Sequence, residues 1–399
     1  MSRYIIILWF VFPLQLWAQQ VPIIGIGDDF KYEKSLSVTN FFKETVTFDE
    51  LEKDLIILDF FNTYCTTCIE AMPKYKEIQS QYTDRLRILP VSTEERPKIH
   101  GMIERNSKIV DQDFPIVLED KLLSEMFPYL SVPHLVWIFK NKVIAITMGD
   151  MLTSKNIDKI LNNETVAYWP IKNDFPIAIN HTKKEEFESF TKIGKYKNGL
   201  PAKFDIDTIG NYIYFKMDNV APIQAFLYLY GLIEKLPLMK KERMIFNVAQ
   251  IGRLLNIDSL PYSEWLQQHA FCYESSWPIA INEKSQINFV ISDLSNRLGY
   301  KVNLDKREAN IWEIVKRKQL RNKAMKAMSD KLQRLDVSIQ LLEILNKDFP
   351  PILFDTKQSN TMIHLEQVKD FQSLRESLRQ QGFDLIKSRK KITSLIISE

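Results

Sequence analysis

Two cysteines three positions apart, Cys65 and Cys68, stand where the apolar run of ILDFFNTYCTTCIEAMP, Ile57 to Pro73, gives way to a helical pattern. At a strand-to-helix junction this spacing suits thiol-disulfide exchange. Cys65 falls at the helix N-cap, where unpaired backbone N–H groups and the positive end of the helix dipole lower a thiol pKa. Cys68, one turn on, lies on the same side and can close an intramolecular disulfide, so Cys65 can attack a partner disulfide and Cys68 can resolve the mixed disulfide. A metal site and a structural staple are the competing uses. Zinc asks for four ligands, whereas the chain has no second CxxC and scatters its histidines over His100, His134, His181, His269 and His364. So short a loop gains little stability from a cross-link.

Two further residues bear on this chemistry. Asp59 lies inside the apolar run, six positions before Cys65. Burial there raises a carboxyl pKa and makes Asp59 a candidate proton acceptor behind the cysteines; a strand-end aspartate with a solvated side chain is the alternative. Pro133, in LSVPHLVWIF, holds the preceding Val132 extended. A cis bond at this point would bring backbone beside the disulfide to receive a substrate strand, although trans is the commoner state before proline. His134 follows directly and reads as a strand-edge residue.

The elements that must position these side chains are legible around them. LIILDFF, Leu55 to Phe61, fits a strand buried on both faces. Ile69, Met72, Tyr75 and Ile78 recur at helical spacing after Cys65, and RLRILPV, Arg85 to Val91, reads as a second strand, completing a βαβ unit. A helix over about 94–109, a short strand over 114–118 and a short helix over 121–127 follow. Leu135 to Gly149 carries two β-rich runs joined by Lys140, Asn141 and Lys142, a hairpin, and Ser154 to Leu161 reads as a closing helix. Strands alternating with helices and ending in a hairpin describe an α/β domain with a mixed sheet over 21–163.

At 399 residues, 45% hydrophobic and 12% aromatic, the chain has material for two cores. Residues 1–18 place Arg3 before an apolar run that is broken by Pro13 and Gln15 and ends at Ala18, the pattern of a secretory signal. A balance of 53 basic and 50 acidic residues argues against a nucleic-acid partner. Three cysteines cannot supply a disulfide framework for an exported chain of this size, and Cys272, between aromatic neighbours, reads as a buried small hydrophobe.

Residues 164–203 read as a linker with local structure, and 204–399 as an α+β domain. It opens with a helix over 221–234 and a strand over 243–248. Ser285 to Leu298 reads as a helix ended by Gly299, followed by a hairpin whose charged turn is DKRE. Val368 to Gln381 reads as a helix ended by Gly382, followed by a hairpin whose basic turn is SRKK. The echo suggests two similar halves. Between them, Val315 to Leu335 reads as a basic amphipathic helix with a solvated charged face.

Asp59, Tyr64-Cys65-Thr66-Thr67-Cys68, Pro73 and Val132-Pro133 together resemble the thioredoxin superfamily. VPIIGIGDDF, ETVTFDELEKDLIILDFF and the insertion between the second and third strands are similar to exported TlpA-like thiol-disulfide oxidoreductases of Gram-negative bacteria. The resemblance implies a thioredoxin-like fold, Cys65 as nucleophile, Cys68 as resolving thiol, Asp59 as buried carboxylate and Pro133 as a cis-proline facing the disulfide. Tyr64, Val132 and Pro133 become the candidate substrate contacts. It further implies no cofactor, protein disulfides or thiols as substrates, an upstream electron-donor thiol protein, and a periplasmic location with no membrane span beyond the signal. The peroxide-reducing relatives are disfavoured, because Asn62 and Leu58 stand where those enzymes need threonine and proline. Tyr64 replaces the usual tryptophan, and Thr66-Thr67 the usual dipeptide, so the redox potential is not carried over. The rival reading is a binding or scaffold protein whose C-terminal domain recognises an envelope partner.

Overall fold

A computed structural model describes residues 21–109, 113–175, 189–234, 240–317, 332–346, 348–365 and 368–399. The apolar stretch 1–18 lies outside these residues, as does 318–331 of the basic segment. The chain divides into two compact units, Met1–Ile177 and Ala178–Glu399.

The first unit has the strands β1 (Ser35–Phe41), β2 (Thr45–Thr47) and β3 (Leu55–Phe60), the helix α1 (Thr66–Gln81), then β4 (Leu86–Val91) and α2 (Arg96–Arg105). It continues with β5 (Asp113–Val117), α3 (Leu122–Met126), β6 (His134–Phe139), β7 (Lys142–Thr147) and α4 (Ser154–Leu161). One mixed sheet results, in the order β2-β1-β5-β4-β3-β6-β7. Every residue of β3 and β4 is buried, as expected of central strands covered on both faces. Odd-numbered residues of β3, Leu55 and Ile57, pack with Cys68, Met72, Tyr75 and Ile78 of α1 on one face. Even-numbered Ile56, Leu58 and Phe60 fill the opposite face with Leu123 and Phe127. The β6–β7 hairpin turns on Lys140 and Asn141, with φ of 49° and 62°, the left-handed pair that two-residue hairpin turns require.

The stretch read as a linker is divided between the units. Val166 and Trp169 are buried in the first core, Trp169 meeting Trp137 edge-on at 5.2 Å, and so extend this unit beyond Asn163. In the second unit, Phe190–Lys195 is strand β8, followed by β9 (Lys203–Ile209), β10 (Tyr212–Val220), α5 (Pro222–Glu234), β11 (Met244–Asn247), α6 (Tyr262–His269) and β12 (Phe271–Pro278). After these come α7 (Glu283–Leu298), β13 (Lys301–Lys316), β14 (Gln333–Arg334), α8 (Leu335–Leu345), β15 (Ile352–Phe354), β16 (Met362–Ile363), α9 (Phe371–Gln380) and β17 (Phe383–Ser398). A four-stranded antiparallel sheet, β8-β12-β10-β9, and a mixed one, β11-β17-β13-β15, make an α+β unit.

The two expected C-terminal hairpins are not formed. DKRE and SRKK lie in the middle of unbroken 16-residue strands, β13 and β17, which pair antiparallel from Lys301↔Ser398 to Lys316↔Phe383. Each helix does end on a left-handed glycine, Gly299 at φ 76° and Gly382 at φ 88°, so the echo is helix, glycine, long strand, with the copies running against each other. One end of the ribbon, Leu395 and Ile397, enters a core with α5 and α7. The other end, Trp312, Ile314 and Leu385, enters a second core with α8 and α9. Hydrophobic alternation fails between them because that stretch is largely exposed, and its charges pair across strands, as in Glu308–Arg389 at 3.1 Å and Glu313–Lys390 at 2.5 Å. Val315 and Lys316 end β13, which corrects the basic helix over 315–335. Among the described residues no helix is long and apolar enough to cross a membrane.

Candidate active site

The site gathers at one end of the first sheet. β3 and β6 are antiparallel neighbours with Phe60 opposite His134, so the loop leaving β3 toward Cys65 and the loop arriving at β6 through Pro133 emerge side by side. Leu135 pairs with Thr147 of β7, which brings Gly149 to the same end.

Cys65 is the N-cap of α1 and is disulfide-bonded to Cys68, their Cα atoms 5.3 Å apart. The Cys65 sulfur accepts the Cys68 N–H at 3.2 Å and lies 3.4 Å from the Thr67 hydroxyl. The pair is asymmetric: Cys65 is half-buried and Cys68 is fully buried. Tyr64 is 80% exposed beside them. The turn entering the helix is fixed by Glu94, one oxygen taking the Thr63 N–H at 2.6 Å and the other the Thr63 hydroxyl at 2.9 Å, while the Asn62 side chain accepts the Tyr64 N–H at 3.0 Å. Glu94 follows β4 in a stretch whose sequence shows no sign of such a role.

Asp59 is odd-numbered in β3 and therefore shares the sheet face covered by α1. It is fully buried, neither carboxylate oxygen has a hydrogen-bond partner among the described residues, and burial pushes its pKa up to about 8. The solvated alternative is thus replaced by a buried carboxyl. Tyr75 of α1 senses it: burial, then the Asp59 charge, raise the phenol pKa. The Tyr75 hydroxyl donates to the Gly149 carbonyl at 3.2 Å.

The Val132–Pro133 peptide is cis. Val132 is half-buried and packs against the cores on both faces of the sheet. His134 is buried instead of lying at an exposed edge, with its ring stacked on Tyr129 at 5.4 Å. Desolvation, helped by the neighbouring Lys172 charge, lowers its pKa to about 3, so the ring is neutral. Cys272 lies in β12 of the other unit as a buried free thiol, hydrogen-bonded to the Asn219 side chain at 3.4 Å.

Residues 34–105 match the Thioredoxin family model, a span that contains Asp59, Cys65 and Cys68 and stops short of Pro133. The chain is 23% identical over 107 residues to the thioredoxin-like protein YneN of Bacillus subtilis, covering 27% of this chain and 63% of that protein's length. Among solved structures it is similar to the thioredoxin domain of a thiol-disulfide oxidoreductase from Bacteroides vulgatus, at 19% identity, 35% of this chain, 99% of that one and a TM-score of 0.29. It is also similar to the exposed lipoprotein thioredoxin Etrx1 of Streptococcus pneumoniae, at 17% identity, 33% of this chain, 99% of that one and a TM-score of 0.28. The N-terminal unit has a thioredoxin-like fold, a mixed sheet flanked by helices, and an α+β region with further sheets follows it.

Proposed function

We infer that the chain is an exported, TlpA-like thiol-disulfide oxidoreductase acting on protein disulfides of the bacterial envelope. The observation that carries the chemistry is the asymmetric pair: a solvent-reachable Cys65 at a helix N-cap, bonded to a buried Cys68, on the sheet face that holds the buried Asp59. In the reduced form, the Cys68 N–H and the helix N-terminus favour a Cys65 thiolate. That thiolate attacks one sulfur of a substrate disulfide, forms a mixed disulfide and expels the other sulfur as a thiolate. Cys68 then gives its proton to Asp59 in the ionised form, a minor species at neutral pH that grows as pH approaches 8, and attacks the Cys65 sulfur. The second substrate thiolate leaves and takes up a proton. Two electrons pass to the substrate, and the Cys65–Cys68 disulfide is left for an upstream dithiol protein to reduce. The backbone at Val132–Pro133 and the exposed Tyr64 receive the substrate strand.

The test is a glutathione redox titration of the secreted chain with alkylation at Cys65, Cys68 and Cys272 read separately, alongside reduction of insulin by Cys65→Ser. Cys65 and Cys68 titrate together as a two-electron couple, and Cys65→Ser has no reductase activity. A pair that stays oxidised throughout, or an active Cys65→Ser, overturns the reading and leaves binding by the second unit as the chain's role.

A further inference from the structure

The tail that follows α4 returns to the site. The Lys172 N–H donates to the Ile146 carbonyl of β7 at 2.9 Å, which lays residues 172–174 alongside the loop leading to Pro133. Asp174 Oδ2 accepts the backbone N–H groups of Leu130 at 2.9 Å and Ser131 at 3.0 Å, and Oδ1 accepts the Ser131 hydroxyl at 3.2 Å. Lys172, whose side chain is 4% exposed, bonds Asp174 and donates to the Ser131 carbonyl at 2.9 Å. Its ammonium also lies 3.2 Å from His134 Nδ1. An ammonium has no lone pair, so Nδ1 accepts and the ring proton sits on Nε2. One ion pair thus holds both polar groups of the Ser131 backbone and the side chain immediately after Pro133.

Such a buried pair is costly to desolvate, and it is not needed to close the core, which Val166 and Trp169 already do. Its bonds go instead to a loop whose Leu130 is 74% exposed. Burial works to raise the Asp174 carboxyl, but the bonds from Lys172 and the two amides together hold it below its usual value, as a carboxylate bonded by an ammonium and two amides should be.

The geometry points to Lys172 and Asp174 as positioning residues that fix the Leu130–Pro133 loop in the shape that receives a substrate strand, a role that rests on the redox reading above. A loop that must be ordered at each encounter loses substrate affinity by the fraction of time it is misplaced, whereas the bond-exchange steps at the sulfurs are unchanged.

The experiment is steady-state reduction of insulin, driven by dithiothreitol, by the secreted chain and by Asp174→Ala, with KM and kcat separated. Asp174→Ala raises KM about tenfold with kcat little changed. The glutathione equilibrium of the Cys65–Cys68 pair stays the same, which a general loosening of the domain would not allow. If Asp174→Ala does not fold, the double variant K172M/D174N, which removes the ion pair without stranding a buried charge, takes its place with the same expectation. An active wild type whose KM is unmoved by these changes overturns the clasp alone. A wild type that reduces no insulin overturns the redox reading, and the clasp's role with it.

Discussion

Gly149 and Pro133 touch so closely that a side-chain carbon on Gly149 would lie 2.9 Å from the Pro133 Cγ, and 3.1 Å from the Tyr75 hydroxyl. Neither neighbour is free to withdraw: the ring belongs to the loop held by Asp174, and Tyr75 is buried under α1. Gly149→Ala is therefore expected to cost about 1–3 kcal/mol as overpacking and to lower insulin reduction by displacing the Pro133 loop. Urea unfolding with a parallel reductase assay checks both; a variant as stable and active as wild type contradicts this packing.

Asp59 governs a pH dependence of stability. Its folded pKa of about 8 lies above the ordinary value of about 4, so it is neutral in both states below pH 4. Between about pH 4 and 8 the unfolded chain releases the proton and the folded chain keeps it, so its contribution falls as pH rises, by about 5 kcal/mol at most. Asp59→Asn removes that loss. The gap in unfolding free energy between variant and wild type should widen from pH 4 to 8, while the rate of mixed-disulfide resolution drops about 100-fold without the proton acceptor. Denaturation curves across that range and stopped-flow release of a substrate thiol supply the two readouts.

The turn before Cys65 depends on Glu94. Removing its two bonds to Thr63 leaves a half-buried N–H and hydroxyl to find water, so Glu94→Ala should destabilise the fold by about 1–3 kcal/mol. Glu94→Gln keeps an acceptor and should lose less. Thermal unfolding of the two variants gives the order, and equal losses would show that the charge, not the acceptor, matters.

Cys272 is buried and bonded to Asn219, and burial pushes its thiol pKa up. Iodoacetamide should modify Cys65 in the reduced native chain while sparing the buried Cys272 until denaturant is added. Labelling of Cys272 at the rate of Cys65 in the native protein contradicts that placement.

What the sequence could show was set by how local each cause is. β3, α1 and β4 were legible because LIILDFF and RLRILPV are apolar on both faces and the helical spacing between them starts at Cys65. Asp59 was legible as a carboxyl inside such a run. Ser35–Phe41 mixes serine, threonine and asparagine with its apolar residues and gave no comparable signal for β1. Lys172, Asp174, Glu94 and Gly149 escaped because, the Lys172–Asp174 pair itself aside, their roles come from partners 16 to 74 positions away. DKRE and SRKK look like turns in the sequence because two separate cores bury the ends of the ribbon and leave its middle without the alternation that marks a strand.

That same ribbon has a consequence for solubility. Pairing with β15 covers only Trp312 to Ile314 of β13, and β11 covers only Leu395 to Ser398 of β17, so among the described residues the centre has two open edges. Open edges recruit strands from other chains, and closely spaced cations are a common guard against it. Lys306 and Arg307 on one strand, and Arg389, Lys390 and Lys391 on the other, place such cations along the bare stretch. The charges that break the hydrophobic pattern are the ones that line these edges, where a strand from another chain would otherwise pair.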